Sequence, residues 1–163
     1  MAFQNPKGTV DYFPEERFIQ KWLAGNMVDV ALQYGYEEVD PPVLESMELL
    51  TQKGGEEVTS QIFALEDRGS EKLGLRFEFT ASLARMFIQK QKVLNKPVKW
   101  VSFNRNWRYE QPQAGRLREF FQFNAEIYGS DKVQTDAECI ALGIDALRAL
   151  GLTENDFIVR VNS

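Results

Sequence analysis

Two strand-like runs, roughly Val98 to Glu110 and Leu117 to Tyr128, are joined only by Gln111-Pro112-Gln113-Ala114-Gly115-Arg116, and no other feature limits the fold as strongly. Runs of that length with so short a link predict a long hairpin. Side chains alternate between the faces of a strand, so each run sorts by parity. On the return strand Leu117, Glu119, Phe121, Phe123, Ala125 and Ile127 form a mostly apolar set, and Arg118, Phe120, Gln122, Asn124 and Glu126 form the other. The outbound strand divides Val101, Phe103, Arg105, Trp107 and Tyr109 from Ser102, Asn104, Asn106, Arg108 and Glu110. One face should therefore pack on helices while the other stays polar. The polar set gathers Arg108, Glu110, Gln122 and Glu126 around Phe120: a guanidinium for a phosphate, carboxylates for amino or ring N–H groups, and a ring to stack on a base. The residues alone leave two readings open, a binding cleft on an open sheet face or a hairpin with one solvated face.

The rest of the chain supplies helices and shorter strands. Pro14 suits the first position of a helix, and Phe18, Trp22, Leu23, Met27, Val30, Ala31 and Tyr34 follow at three- and four-residue steps before Gly35 ends it. Tyr36 to Val39 reads as a short strand stopped by Pro41-Pro42. Ser46 can cap a short helix to about Gln52, followed by a Lys53-Gly54-Gly55 loop. Strands at about Gln61 to Glu66 and Leu73 to Glu78 flank Asp67-Arg68-Gly69-Ser70, a predicted hairpin turn. A helix capped by Thr80 or Ser82 should then bury Leu83, Phe87 and Ile88, and a second should run from about Thr135 to Leu150. Phe157 to Val161 reads as a further strand. This order predicts an α+β fold, an antiparallel sheet with helices on one face, in a single domain that stops in mid-strand.

Composition excludes several chemistries. The 163 residues contain no histidine, so Ser/His/Asp and Cys/His nucleophile systems and the commonest zinc sites are ruled out, and no metal-ligating residues are predicted. Cys139 is the only cysteine and reads as a small core residue. No long apolar stretch or basic leader is present, so a cytosolic protein without a membrane partner is expected. The net charge of −5 hides a segregation: Arg85 to Arg118 holds nine basic residues and one acid, Glu110, a window of +8 within a remainder of −13. Such a window is either a docking place for an anion, ATP or nucleic acid, or a solvated basic face.

The run Trp107-Arg108-Tyr109-Glu110-Gln111-Pro112-Gln113-Ala114-Gly115-Arg116-Leu117-Arg118-Glu119-Phe120-Phe121-Gln122-Phe123 closely resembles motif 2 of the histidyl-tRNA synthetases. Arg-x-Glu alone would be weak, whereas Pro-Gln-x-Gly-Arg followed by Arg-Glu-Phe-x-Gln-Phe separates this family from other class II synthetases. Three further segments agree in order: Lys7 to Pro14, Gly35 to Glu45 resembling motif 1, and Leu75-Arg76-Phe77-Glu78-Phe79-Thr80 resembling the family's amino-acid-binding turn. The similarity spans essentially all of residues 1–163, as the N-terminal part of a class II catalytic domain. Motif 3, the later histidine-specific segment and the anticodon-binding domain are expected beyond Ser163, and the 163 residues alone are expected to show little or no pyrophosphate exchange.

The resemblance implies ATP-dependent activation of histidine and its transfer to tRNA(His). It puts Arg108 on the α-phosphate of ATP and the substrate carboxylate, Arg116 on the γ-phosphate, Glu110 at the adenine side and Phe120 against the adenine ring. It gives Glu78, Thr80 and Gln122 the α-ammonium of histidine and Glu126 the imidazole. Magnesium is implied by the triphosphate, and a homodimer by motif 1. Val10, Phe79, Gln111 and Phe121 depart from the family's usual residues and leave these positions intact. Two rival readings are a histidine-sensing regulatory subunit of ATP phosphoribosyltransferase, which needs the histidine pocket without the phosphate clamps, and a nucleic-acid-binding module built on the basic window.

Overall fold

The computed structural model describes residues 3–52, 56–66, 69 and 71–162. They form α1 (Pro14–Gln33), β1 (Glu37–Glu38), β2 (Leu44–Ser46), α2 (Met47–Thr51), α3 (Glu56–Ser60), β3 (Leu73–Leu75), α4 (Thr80–Lys90), β4 (Val98–Trp107), β5 (Glu119–Tyr128) and α5 (Val133–Ala149). A three-stranded sheet has the order β1-β4-β5, and β2 pairs with β3 in a two-stranded sheet. Two compact units result: Met1–Asp11, Asp40–Val93 and Asn104–Gln122 in the first, Tyr12–Val39, Leu94–Phe103 and Phe123–Ser163 in the second. Among the described residues no helix is long and apolar enough to cross a membrane.

In the second unit α1 starts as its sequence dictates, with Pro14 at the first turn and Glu15 and Glu16 where the helix dipole favours negative charge. It ends on Gly35 at φ +78, where Gly35 N–H donates to Leu32 O (2.9 Å) and Tyr36 N–H to Ala31 O (3.0 Å). That double bond pattern satisfies two terminal carbonyls and needs a left-handed residue, which glycine adopts without a Cβ clash. The turn delivers Tyr36 into a core with Ala31, Val101 and Leu142, against which Val30, Phe123, Ala125 and Ile127 pack. Two phenols anchor α5. Tyr34 donates to Asp145 (2.5 Å), a bond that raises the phenol's pKa, and Tyr36 lies 3.6 Å from Cys139 Sγ, with burial pushing its pKa up first of all.

The first unit is tied by Arg76, a residue only 1% exposed. It donates to Pro41 O, to Pro42 O (3.2 Å) and, through Nε and Nη2, to Arg105 O (3.2 and 3.1 Å). Its backbone carbonyl accepts from Trp107 N–H (3.0 Å), so β3 is fastened to β4 on both sides of one residue. Ser46 caps α2 by accepting from Leu49 N–H (3.3 Å). The N-terminal segment braces the loop between β4 and β5: Gly8 O accepts from Arg118 N–H (2.8 Å) and Glu119 N–H (3.2 Å). Gly8 has φ +84, and a Cβ there would lie 2.8 Å from Arg118 Cγ and 2.9 Å from Pro112 Cγ.

Several expectations need correction. The α+β class holds, but the larger sheet is mixed, since β1 runs parallel to β4 with Glu37 opposite Trp100. A parallel pair requires a long crossover, and residues 39–97 provide it. The expected pairing of Gln61 to Glu66 with β3 is present but short: Leu65 N–H donates to Leu73 O and Leu75 N–H to Phe63 O (both 2.9 Å) around an antiparallel bridge from Ala64 to Gly74, while the other edge of β3 takes the unforeseen β2. Residues 53–55, and most of the expected turn at Asp67 to Ser70, lie outside the described residues. Neither Thr80 nor Ser82 caps α4; Glu78 does, as described below. Leu83 is buried as expected, whereas Ile88 is exposed, and so are Phe18 and Trp22 of α1. Phe157 to Val161 is not a strand, having no ladder partner among the described residues.

Leu142→Ala should destabilise the protein by about 2–5 kcal/mol, read as a lower urea midpoint with unchanged slope, since it empties a fully buried site. Gly8→Ala should cost at least about 1–2 kcal/mol from the left-handed backbone alone, and should speed tryptic cleavage after Arg116 by loosening the brace. Unchanged cleavage would show that Gly8 does not hold that loop.

Candidate functional site

The site is built on β4 and β5, whose neighbouring course sets which side chains meet. Asn106 Nδ2 donates to Gln122 Oε1 (2.9 Å), and the Arg108 guanidinium lies over the Phe120 ring, 5.0 Å from its centroid. On the opposite face Arg105 lies 5.0 Å from the Phe121 ring centroid and pairs with Glu119 at 3.3 Å. Even residues meet even and odd meet odd, so the parity sorting is observed directly in the first unit. The polar set is less open than expected, because Asn106 and Ser102 are both fully buried.

Arg108 is held at three points. Its backbone N–H donates to Arg118 O (2.8 Å), its Nε donates to Phe77 O (3.2 Å), and its plane rests on Phe120. The carbonyl that orients it belongs to the residue before Glu78, which links the arginine to the acidic turn. Glu78 Oε2 accepts from Thr80 N–H (3.0 Å) and Oε1 from Ala81 N–H (2.9 Å). Those are orphan donors of the first turn of α4, and the carboxylate satisfies both. Each carboxylate oxygen keeps a lone pair, so Glu78 can still accept from an ammonium.

The loop after β4 is also ordered. Arg116 Nη1 lies 3.2 Å from Glu110 Oε2, and Arg118 donates Nε to Glu110 O (2.9 Å) while lying 4.2 Å from the Tyr109 ring centroid. Two residues expected to serve ATP, Arg116 and Glu110, are thus paired with each other. Arg116 is 60% exposed, so the pair contributes roughly 0–1 kcal/mol and is easily exchanged for an anion.

A groove of about 510 Å³ runs between α2 and α4, lined by Leu49, Ala81, Ala84, Ile88, Thr80 and Arg85 among others. It includes Thr80 but none of Arg108, Glu110, Phe120 or Gln122, and it is mostly apolar. In the second unit Glu126 accepts from Asn124 Nδ2 (3.1 Å) and from the Tyr128 hydroxyl. Among the described residues no group of three or more histidine, cysteine, aspartate or glutamate side chains could hold a metal.

Sequence reasoning missed Arg76, Asn106, Arg118 and Gly8 as supports of this region. Parity placed Asn106 beside Gln122 in principle, but nothing in the pattern showed that it is buried. Gly8 stands in a segment that was singled out, yet its close approach to Arg118 is visible only in three dimensions.

Residues 8–161 match the family model described as histidyl-tRNA synthetase. The chain is 44% identical over 160 residues to the histidine–tRNA ligase of Haloarcula marismortui, covering 98% of this chain and 37% of that protein. It is 42% identical to the chloroplastic/mitochondrial histidine–tRNA ligase of Arabidopsis thaliana, covering 97% of this chain and 32% of that protein. A solved structure described as an ATP phosphoribosyltransferase regulatory subunit/histidyl-tRNA synthetase from Bacillus halodurans C superposes with a TM-score of 0.81 at 30% identity, covering 93% of this chain and 39% of that one. The chain thus spans about a third of the length of the curated relatives it matches, and it belongs to the histidyl-tRNA synthetase family.

Proposed function

We propose that this segment serves a histidine–tRNA ligase by binding ATP and histidine and aligning them for formation of histidyl-adenylate, which is then transferred to tRNA(His). The observation that carries the reading is the fixed Arg108, resting on Phe120 and tied through Phe77 O to the turn that holds Glu78. In the reaction a carboxylate oxygen of histidine attacks the α-phosphorus of ATP and pyrophosphate leaves. Negative charge grows on the phosphoryl oxygens, and a pre-oriented guanidinium stabilises it without reorganising at the moment of reaction. Arg108 takes that role and also meets the substrate carboxylate. Arg116 leaves Glu110 for the γ-phosphate, Glu110 then serves the adenine side, and Phe120 offers its ring to the base. Glu78, Thr80 and Gln122 surround the α-ammonium of histidine, and Glu126 accepts from the imidazole.

Magnesium would enter with the triphosphate, since a cation bound mainly by phosphates and water needs no protein cage, and the described residues offer none. The segment would be the N-terminal part of a class II catalytic domain in a cytoplasmic enzyme. A homodimer through motif 1 is supported by the apolar row Phe13, Phe18, Ile19 and Trp22, all exposed along α1 and just before it.

The similarity to the Bacillus halodurans structure, described as an ATP phosphoribosyltransferase regulatory subunit/histidyl-tRNA synthetase, keeps one alternative in view, a regulatory subunit of ATP phosphoribosyltransferase. A histidine sensor has no use for phosphate clamps, whereas this chain has both Arg108 and Arg116. Titration calorimetry separates the two. The synthetase reading expects Mg-ATP to bind this chain and Arg108→Ala to weaken it about ten- to a hundredfold, the usual range for losing a hydrogen bond to a charged group. Histidine binding with no affinity for Mg-ATP would favour the sensor, and binding of many RNAs with a steep salt dependence would favour a nucleic-acid module.

A further inference from the structure

We propose that Asn106 is a positioning residue that fixes which end of the Gln122 amide faces the ligand, presenting the Gln122 NH2 outward as a donor to the carboxylate of the bound amino acid. Asn106 is fully buried and spends its own Nδ2 on Gln122 Oε1 at 2.9 Å. With its oxygen turned inward to Asn106, the Gln122 amide directs its NH2 the other way, outward. The two amides could in principle turn over together. That would exchange the present orphan at residue 106, a buried Oδ1 without a hydrogen-bond partner, for a buried N–H group without one. Buried orphan N–H groups are the rarer and costlier kind, so the present sense is preferred.

The outward face agrees with this. Phe120 and Gln122 lie two residues apart on β5 and share a face, and Arg108 rests on Phe120, so the neighbouring charge on that face is a cation. Two donors side by side suit a carboxylate or a phosphoryl oxygen and repel an ammonium. The acceptors for an ammonium lie elsewhere, on Glu78, whose carboxylate is held by the start of α4. The inference rests on the reading of Gln122 as a histidine-binding residue but moves its contact from the ammonium to the carboxylate: Glu78 and Thr80 take the ammonium, and Gln122 joins Arg108 on the carboxylate.

Two measurements on the 163-residue chain test it. By NMR without ligand, the side-chain amide protons of Asn106 should resist solvent exchange while those of Gln122 exchange freely, and Gln122→Met should abolish the protection at Asn106. The opposite pattern, with the Gln122 protons protected, overturns the proposal. By calorimetry, Asn106→Asp leaves only acceptors at position 106 and forces the Gln122 amide to turn, so histidine should bind about tenfold more weakly while histamine, which lacks the carboxylate, changes by less than about twofold. Asn106→Leu removes the donor without burying a charge and should shift histidine in the same direction, which covers an aspartate variant that fails to fold. Equal losses for both ligands, or none for either, overturn the proposal with the histidine site intact. If the unmodified chain binds neither ligand, the functional reading fails, and the exchange pattern alone decides the role of Asn106.

Discussion

Burial of the Arg76 guanidinium is the constraint on which the first unit depends. Removing that charge from water carries a penalty of several kcal/mol unless its N–H groups find acceptors, and the desolvation lowers its pKa while the Asp40 carboxylate, 3.5 Å away, opposes the shift. The acceptors come from two distant stretches of chain, the Pro41-Pro42 carbonyls and the Arg105 carbonyl. Prolines are apt there, because they expose carbonyls that no strand ladder claims. The Phe79 ring lies under the guanidinium with its centroid 4.7 Å away, adding a cation–π contact. One side chain therefore ties the segment carrying Glu78 to β4, whose end leads directly into Arg108.

The consequence is electrostatic. Arg108 and the Gln122 amide sit on one face of β4 and β5, and the helix-held Glu78 follows the carbonyl that orients Arg108. A chain that is acidic overall gathers donors on this face, where the proposed reaction brings a triphosphate and a carboxylate together, and sets Glu78 apart as the acceptor proposed for the ammonium. The Arg116–Glu110 pair fits the same economy, since an exposed ion pair stores a cation near the site and yields it readily to a stronger anion.

The hairpin was legible because a period of two leaves little freedom: once β4 and β5 were recognised, the meetings of Arg108 with Phe120 and of Arg105 with Phe121 followed. The start of α1 at Pro14 and its end at Gly35 were equally plain, because each residue has a backbone reason to be there. What could not be read were choices of partner. Leu44 to Ser46 carries no strand signature, yet it pairs with Leu73 to Leu75 along the edge that residues 63–65 leave open. The parallel pairing of β1 with β4 is likewise settled by a crossover of nearly sixty residues rather than by anything local. At the site, residue chemistry indicated donors and acceptors, but the supports beneath them, Arg76, Asn106 and Gly8, owe their roles to burial and close approach.

The central claim is that the even-numbered face of β4 and β5 holds the adenylate. A crystal structure of the chain with a non-hydrolysable histidyl-adenylate analogue tests it directly. The account requires the adenine against Phe120, the phosphate mimic on Arg108 and the amino group near Glu78. An analogue bound over Arg105 and Phe121, or lodged instead in the groove between α2 and α4, would contradict it.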